Sequence, residues 1–328
     1  MSSGILAPLK GKHVASALQF NRPMVEALIT LAGKLKVDVE TEAPTPAGEI
    51  ATCNLLNGKV MAPLFFENSS RTFCSFVAAM QRLGGGIVHV PIEHSSVSKG
   101  ESLSDTVRTL DQYADVLVLR HPKQEALEEA TAVAEHPIMN AGNGTGEHPT
   151  QALLDAFTIF SELGALDGLS IALVGDLKNG RTVHSLVKLL INFDIKQFYF
   201  VSPAALKMPQ DVADVATARG IQVHYAEDIS KVIADVDVVY TTRTQKERFA
   251  SEEEYNAVKG TYTINAEVMK LAKQKMIVMH PLPRNDELAT DVDTDPRAAY
   301  FRQMRCGLYM RMGLLLAALG KIPPRWQA

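Results

Sequence analysis

The stretch VMAPLFFENSSRTFCSFVAAM, Val60 to Met80, decides the fold. Its first seven residues, Val60 to Phe66, are an apolar run with the length and bulk of a buried strand. From about Arg71 the apolar residues Phe73, Phe76, Val77 and Met80 recur at helical intervals, and Gly84-Gly85-Gly86 ends that pattern. Ile87 to Pro91 then reads as a second strand. Strand, helix, strand is the unit of a parallel α/β sheet. The run Ser69-Ser70-Arg71-Thr72 falls on the strand-to-helix junction. Two readings are open there. One is a plain N-cap. The other is an anion site, because the first helical N–H groups lack partners, and three hydroxyls and a guanidinium add donors suited to phosphate oxygens.

Composition narrows the field. The chain has 328 residues, 46% hydrophobic, enough for two packed cores. Its 33 Lys and Arg against 37 Asp and Glu give a net charge of −4, without a basic cluster. Nucleic acid and membrane surfaces are therefore not expected partners. Cys53, Cys74 and Cys306 are far apart and lack metal-ligand spacing, so neither a metal centre nor a disulfide framework is expected, and the compartment reads as reducing and cytoplasmic. No stretch has the length of a membrane span or the form of a signal peptide.

Working outward, Met1 to Pro8 is unpatterned and reads as a mobile lead, Pro23 to Lys36 as a helix, and Thr41 to Gly48 as a loop. Glu93 to Glu101 (EHSSVSKGE) is polar and reads as a solvated connection before a helix carrying Leu103, Val107, Leu110 and Tyr113. Asp115 to Leu119 forms a third strand that ends at Arg120-His121-Pro122. A fourth, Pro137 to Asn140, leads into a Gly-rich turn, His148-Pro-Thr-Gln151 and a helix to Leu163. Ligands of open α/β sheets gather beyond such strand ends. His148 is open to a capping or packing role as well as to a functional one.

The alternation then restarts after Gly164 to Gly168. Strands are expected at Ser170–Val174, Lys196–Val201, Ile221–Tyr225, Asp235–Tyr240 and Met276–Met279, with helices at Thr182–Ile191 and Asp211–Arg219 and a long apolar helix over Arg297–Leu319. The predicted architecture is two doubly wound α/β domains, each with a mainly parallel sheet flanked by helices. They cover residues 1–148 and 149–296, and the C-terminal helix 297–320 packs back on the first.

Two motifs invite misreading. Gly175-Asp-Leu-Lys-Asn-Gly180-Arg181-Thr182 has P-loop spacing, but Arg stands where the compact charge of Lys is required, and no magnesium-binding strand end accompanies it. A dinucleotide turn would need G-x-G-x-x-G, which is absent there. Arg181 instead joins Arg243 and Gln245, which follow the Asp235–Tyr240 strand, as forks for carboxylates. His280-Pro281-Leu282-Pro283-Arg284 follows the last strand. It is either a stiff connection or a turn whose backbone faces a ligand. From the residues alone, a cleft between two domains is expected to hold a phosphate-bearing substrate and an acid. It would work by positioning and oxyanion stabilisation, with neither metal nor other cofactor.

Seven motifs, Ser69-Ser70-Arg71-Thr72, Ser95 to Gly100, Arg120-His-Pro, His148-Pro-Thr-Gln151, Gly175 to His184, Arg243 to Arg248 and His280 to Arg284, resemble the aspartate carbamoyltransferases in order over nearly the whole chain. The likeness is closest to the domain fused to glutamine-dependent carbamoyl-phosphate synthetase and dihydroorotase regions in the multifunctional pyrimidine-synthesis polypeptides of eukaryotes. It implies that carbamoyl phosphate and L-aspartate give N-carbamoyl-L-aspartate and phosphate, the second step of de novo pyrimidine synthesis. It also implies that 1–148 binds carbamoyl phosphate and 149–296 binds aspartate.

Position by position, the resemblance gives Ser69, Ser70, Arg71 and Thr72 the phosphate, and Arg71 the charge that grows as phosphate leaves. Thr72, Arg120 and His148 would polarise the carbamoyl carbonyl. Gln151 and the Pro281-Leu282 backbone would orient its nitrogen. Arg181, Arg243 and Gln245, with Lys99, Leu282 and Pro283, would hold aspartate. The family is a homotrimer with shared sites, so Ser95 and Lys99 would serve a neighbour, with Ser96 as the alternative hydroxyl. A carbamoyltransferase for ornithine is the nearest competitor, but there His-Cys-Leu-Pro replaces His280-Pro-Leu-Pro. An inactive carbamoyltransferase-like scaffold is the other alternative.

Overall fold

The computed structural model describes residues 2–41, 52–244, 251, 253 and 262–326. It divides into two compact units, Met1–Phe157 with Arg305–Ala328, and Thr158–Met304.

Unit 1 is built on strands β1 (Val60–Phe65), β2 (Gly86–Ile87), β3 (Val116–His121) and β4 (Ile138–Asn143), all parallel in the order β2-β1-β3-β4. The run of buried residues at Met61, Ala62, Leu64 and Val116 to Leu119 is what a sheet covered on both faces requires. Its helices are α1 (Ser2–Leu6), α2 (Arg22–Glu40), α3 (Ser70–Arg82), α4 (Leu103–Asp111), α5 (Ala126–Val133) and α6 (Pro149–Leu163). Asn21 caps α2 by accepting from the Met24 N–H, with Pro23 inside its first turn.

Two expectations fail here. Of the expected mobile lead Met1–Pro8, the described residues from Ser2 on are structured: α1 and the turn Ala7–Leu9 bury Leu6 and Leu9, so those two apolar side chains tie the segment down. The strand expected over Ile87–Pro91 stops at Ile87. Gly86 N–H donates to the Lys59 carbonyl and Val88 N–H to that of Met61. Alternation along β1 turns residue 63 to the same edge, and Pro63 has no N–H to continue the ladder. Of the expected Thr41–Gly48 loop, only Thr41 is among the described residues.

Unit 2 carries β5 (Ser170–Gly175), β6 (Gln197–Val201), β7 (Gln222–Ala226), β8 (Val238–Thr242) and β9 (Ile277–Met279), parallel in the order β7-β6-β5-β8-β9. Its helices are α7 (Arg181–Leu190), α8 (Gln210–Thr217) and α9 (Ala266–Met269), and α10 (Tyr300–Ala318) returns the chain to unit 1. Ala172, Val174, Val201, Val239 and Val278 centre the core on the sheet.

The two units repeat one device. Asp115, just before β3, accepts the Val60 N–H at 2.9 Å and Lys59 Nζ at 2.6 Å. Asp237, just before β8, accepts the Ser170 N–H and Lys273 Nζ, each at 2.8 Å. In each sheet an aspartate therefore pins the start of the neighbouring strand. No helix among the described residues is long and apolar enough to cross a membrane.

Candidate active site

In unit 1 the register sets the site. Phe65 lies beside Arg120 across β1 and β3, and His121 beside Asn143 across β3 and β4. The segment leaving β1 carries Ser69 to Thr72, β3 itself carries Arg120 near its end, and the segment leaving β4 carries His148 to Gln151.

Ser69 is the N-cap residue of α3, extended at φ −157° and ψ 90°, yet its side chain makes no capping bond, so a plain cap does not account for it. Ser70 and Arg71 are exposed in the first turn of α3, and Thr72 is buried. Those are the positions where helical N–H groups and the dipole favour an anion. Arg120 is buried, and its fork is held from two sides. Nη1 donates to the Ala141 carbonyl at 3.2 Å and Nη2 to Glu67 Oε1 at 2.5 Å.

The Gly-rich turn after β4 is fixed by polar side chains. Glu147 accepts from Ser16 Oγ at 3.0 Å and the Ala17 N–H at 2.7 Å, and Asn143 Oδ1 accepts the Glu147 N–H at 2.9 Å. Gly144 has φ +54°, and a Cβ there would stand 2.7 Å from the Pro122 carbonyl oxygen, so only glycine fits. That turn delivers His148, buried, with Nδ1 3.4 Å from Thr150 Oγ1. Gln151 Nε2 donates to Asp155 Oδ1 at 2.9 Å, one helical turn on. The amide so oriented presents Oε1 as an acceptor for an N–H donor.

The Ser95–Gly100 segment is structured. Ser96–Lys99 forms a 3-10 turn closed by Gly100 at φ +96°. Ser95 Oγ donates to the Ile92 carbonyl at 2.7 Å and accepts the Val97 N–H at 3.3 Å, whereas Ser96 and Lys99 are exposed.

In unit 2, Gly175 pairs with Thr242 and Tyr240 with Met279, so Arg181, Arg243 and His280 to Arg284 leave the same end of the adjacent strands β5, β8 and β9. Gln245 and Arg248 lie outside the described residues. The look-alike P-loop has four amides occupied, three within the loop and that of Lys178 at the Leu206 carbonyl. The N–H groups of Leu177, Lys178 and Arg181 donate to backbone carbonyls, and that of Asn179 to the buried Asp176 carboxylate at 3.0 Å. These amides are committed to protein acceptors, and the loop does not cradle a phosphate. Its Gly175, at φ +115°, is needed because a Cβ would come within 2.4 Å of the Thr242 carbonyl oxygen.

Pro281 and Leu282 are half-buried, Pro283 is exposed, the Leu282–Pro283 bond is cis, and Leu282 has φ +54°. Arg284 pairs with Asp293 through both Nη atoms, 2.7 Å at Nη2, and takes a structural role. The hydrogen bond from Arg284 is the main cause that holds the Asp293 carboxyl below its ordinary value. Among the described residues no group of three or more His, Cys, Asp or Glu is arranged to hold a metal ion. Sequence reasoning missed Glu67, Glu147, Asp155 and Glu287, carboxylates that orient other groups. Only Asp155, four residues from Gln151 on one helix, carried a readable signal.

The family model described as aspartate/ornithine carbamoyltransferase, carbamoyl-P binding domain, matches residues 12–161, and that described as the Asp/Orn binding domain matches residues 167–318. A multifunctional protein of Dictyostelium discoideum, pyr1-3, is 50% identical over 95% of this chain, which spans 14% of that relative's length. The aspartate carbamoyltransferase catalytic subunit of Thermococcus gammatolerans is 45% identical over 94% of this chain and 98% of its own. Among solved structures, the aspartate transcarbamoylase of Trypanosoma cruzi in complex with carbamoyl phosphate and aspartate is 56% identical. It covers 96% of this chain and 98% of its own, with a TM-score of 0.90.

Proposed function

The chain belongs to the aspartate/ornithine carbamoyltransferase family, and we propose that it is the aspartate-specific enzyme, converting carbamoyl phosphate and L-aspartate to N-carbamoyl-L-aspartate and phosphate. The amine lone pair of aspartate attacks the carbamoyl carbon and forms the new C–N bond. The resulting oxyanion collapses as the C–O bond to phosphate breaks, phosphate leaves with that electron pair, and the nitrogen sheds a proton.

Unit 1 supplies the phosphate half: Ser69, Ser70, Arg71 and Thr72 at the start of α3 bind the phosphate, and Arg71 meets the charge that develops on it. Thr72, Arg120 and His148 polarise the carbonyl. Gln151 accepts from the carbamoyl NH2 through Oε1, and the Pro281 and Leu282 carbonyls do likewise. Unit 2 holds aspartate through Arg181, Arg243 and Gln245, with Leu282 and Pro283.

One observation carries the choice of aspartate. Two guanidinium groups, Arg181 and Arg243, follow adjacent strands whose ends are paired at Gly175 and Thr242. A dicarboxylate uses two such forks, whereas ornithine offers one carboxylate and a second cation. The solved relative that binds carbamoyl phosphate together with aspartate supports the same choice.

We further propose a homotrimer in which Ser95 or Ser96 and Lys99 serve a neighbour's site. The reaction is then the second step of pyrimidine synthesis in the cytoplasm, beside carbamoyl-phosphate synthetase and dihydroorotase regions of the kind fused in multifunctional relatives. Carbamoyl transfer measured with L-aspartate and with L-ornithine tests the core of this reading. One phosphate released per carbamoyl-aspartate formed is expected, with ornithine inert. A faster reaction with ornithine, or none with either amine, refutes it.

A further inference from the structure

The polar bonds around the end of β9 are more numerous than a stiff connection needs. His280 is fully buried, and both ring nitrogens are engaged. Nδ1 lies 2.7 Å from the Leu282 backbone nitrogen, whose N–H can only donate, so Nδ1 is the unprotonated acceptor. The ring proton therefore sits on Nε2, which donates to Glu287 Oε1 at 2.8 Å. The same carboxylate oxygen accepts the Asn285 N–H at 2.9 Å. The backbone N–H of His280 donates to the equally buried Gln303 Oε1 at 2.9 Å. The segment is thus held at residues 280, 282 and 285.

Leu282 is the one non-glycine residue with positive φ among the described residues, at +54°. A side chain in that region is strained and persists only where neighbours enforce it. The bond from the Leu282 N–H to His280 holds this peptide from its own backbone donor. Releasing it would let Leu282 relax to negative φ and turn the adjoining carbonyl groups. Burial pushes the Glu287 carboxyl up, but the His280 bond and the Asn285 N–H outweigh it, and the group stays ionised. The ring thus has a lasting acceptor on Nε2.

We infer that His280, oriented by Glu287, is a positioning residue that fixes the Pro281 and Leu282 carbonyls for the carbamoyl group. The role rests on the proposed transferase reaction but makes claims that can be read apart from it. Glu287 selects the tautomer, the tautomer supplies the acceptor, and the acceptor holds the turn.

The direct test is nitrogen-15 NMR of the imidazole in the full chain. His280 should show a protonated Nε2 and a bare Nδ1 throughout pH 6 to 8, whatever the enzyme's substrate; a proton on Nδ1 overturns the inference. The kinetic test compares His280→Asn, whose carbonyl oxygen falls near Nδ1, with His280→Gln, whose amide falls near Nε2. Asn should keep kcat within about tenfold of wild type, and Gln should lose about 100-fold, as misplacement of a reacting group does. Affinity for inorganic phosphate, measured by calorimetry, should change less than twofold in both. Equal losses in the two variants, or phosphate affinity falling in step with kcat, would reduce His280 to a packing role. Should either variant fail to fold, Glu287→Gln takes its place. It keeps the oxygen acceptor but not the charge, and a drop of about tenfold in kcat at unchanged phosphate affinity is expected, whereas wild-type kcat sinks the inference. A wild-type protein inert toward aspartate defeats the proposed function and leaves the tautomer result to stand or fall alone.

Discussion

Arg120 is held by Glu67 at 2.5 Å, a carboxylate from the segment between β1 and α3 against a guanidinium on β3. The arginine side chain is 10% exposed and the glutamate 28%, so water screens the pair only in part. Removing the carboxylate takes from a buried cation its bond at Nη2 and the charge opposite it, while the bond from Nη1 to the Ala141 carbonyl stays. Glu67→Ala should cost about 1.5 to 3 kcal/mol in urea unfolding, the range for a hydrogen bond to a charged group. If Arg120 polarises the carbamoyl carbonyl as proposed, the variant should also lose about tenfold in kcat, because the fork is no longer oriented. Glu67→Gln keeps the acceptor oxygen and should recover much of both. An alanine variant as stable and as fast as wild type would show that Arg120 needs no second anchor.

Arg71 makes the opposite case, since it is exposed in the first turn of α3 and stability does not depend on burying it. Arg71→Ala should melt within a few degrees of wild type yet lose on the order of 100-fold to 1,000-fold in kcat, the cost of removing one preorganised contact to a developing anion. Near-normal turnover would remove Arg71 from the reaction.

The strands and most helices were legible in the sequence because apolar runs and helical spacing report burial directly. The placing of these residues at strand ends was legible because apolar runs show where each strand stops, and the register bears out that placing, with Arg120 level with Phe65 and Thr242 level with Gly175. What was not legible depends on bonds between distant residues. Nothing in the sequence around Pro63 says which edge of β1 it faces, so the early end of β2 could not be foreseen. Glu147 reaches Ser16, 131 positions away, and no local pattern announces such a partner. The glycines of the Gly175–Gly180 loop have P-loop spacing, which Arg181 already spoke against. Their reasons are close approach to Thr242 and Asp176, a steric fact that spacing alone cannot carry.

Asp115, just before β3, predicts a pH dependence. Burial raises the Asp115 carboxyl, but the bonds from Lys59 and the Val60 N–H outweigh it, and the net shift is downward. A carboxyl with a depressed folded-state value stabilises above its unfolded value of about 3.9 and loses that contribution as pH falls below it. Asp115→Asn should therefore cost about 1 kcal/mol at pH 7, allowing for water's access to Lys59. The difference between variant and wild type should hold down to about pH 5 and shrink only below about pH 4. Denaturant titrations at pH 7, 5 and 3.5 would check this. A gap that widens on acidification would contradict the sign.

The shared-site proposal predicts complementation. Lys99 stands exposed on its 3-10 turn in unit 1, and Arg243 follows β8 in unit 2. If Lys99 serves a neighbour's site, Lys99→Ala and Arg243→Ala each inactivate every site of their own trimers. In a mixed trimer, a site is intact when its Lys99 comes from an Arg243→Ala subunit and its Arg243 from a Lys99→Ala subunit. With equal amounts and random exchange each condition is met half the time, so about a quarter of wild-type activity should return. If both residues served one site within a single chain, no mixture could assemble an intact site and activity would stay at the level of the parents. Exchange must be verified independently, by native mass spectrometry of subunits differing in mass. Mixed trimers seen there without regained activity would mean that Lys99 acts within its own subunit or not at all.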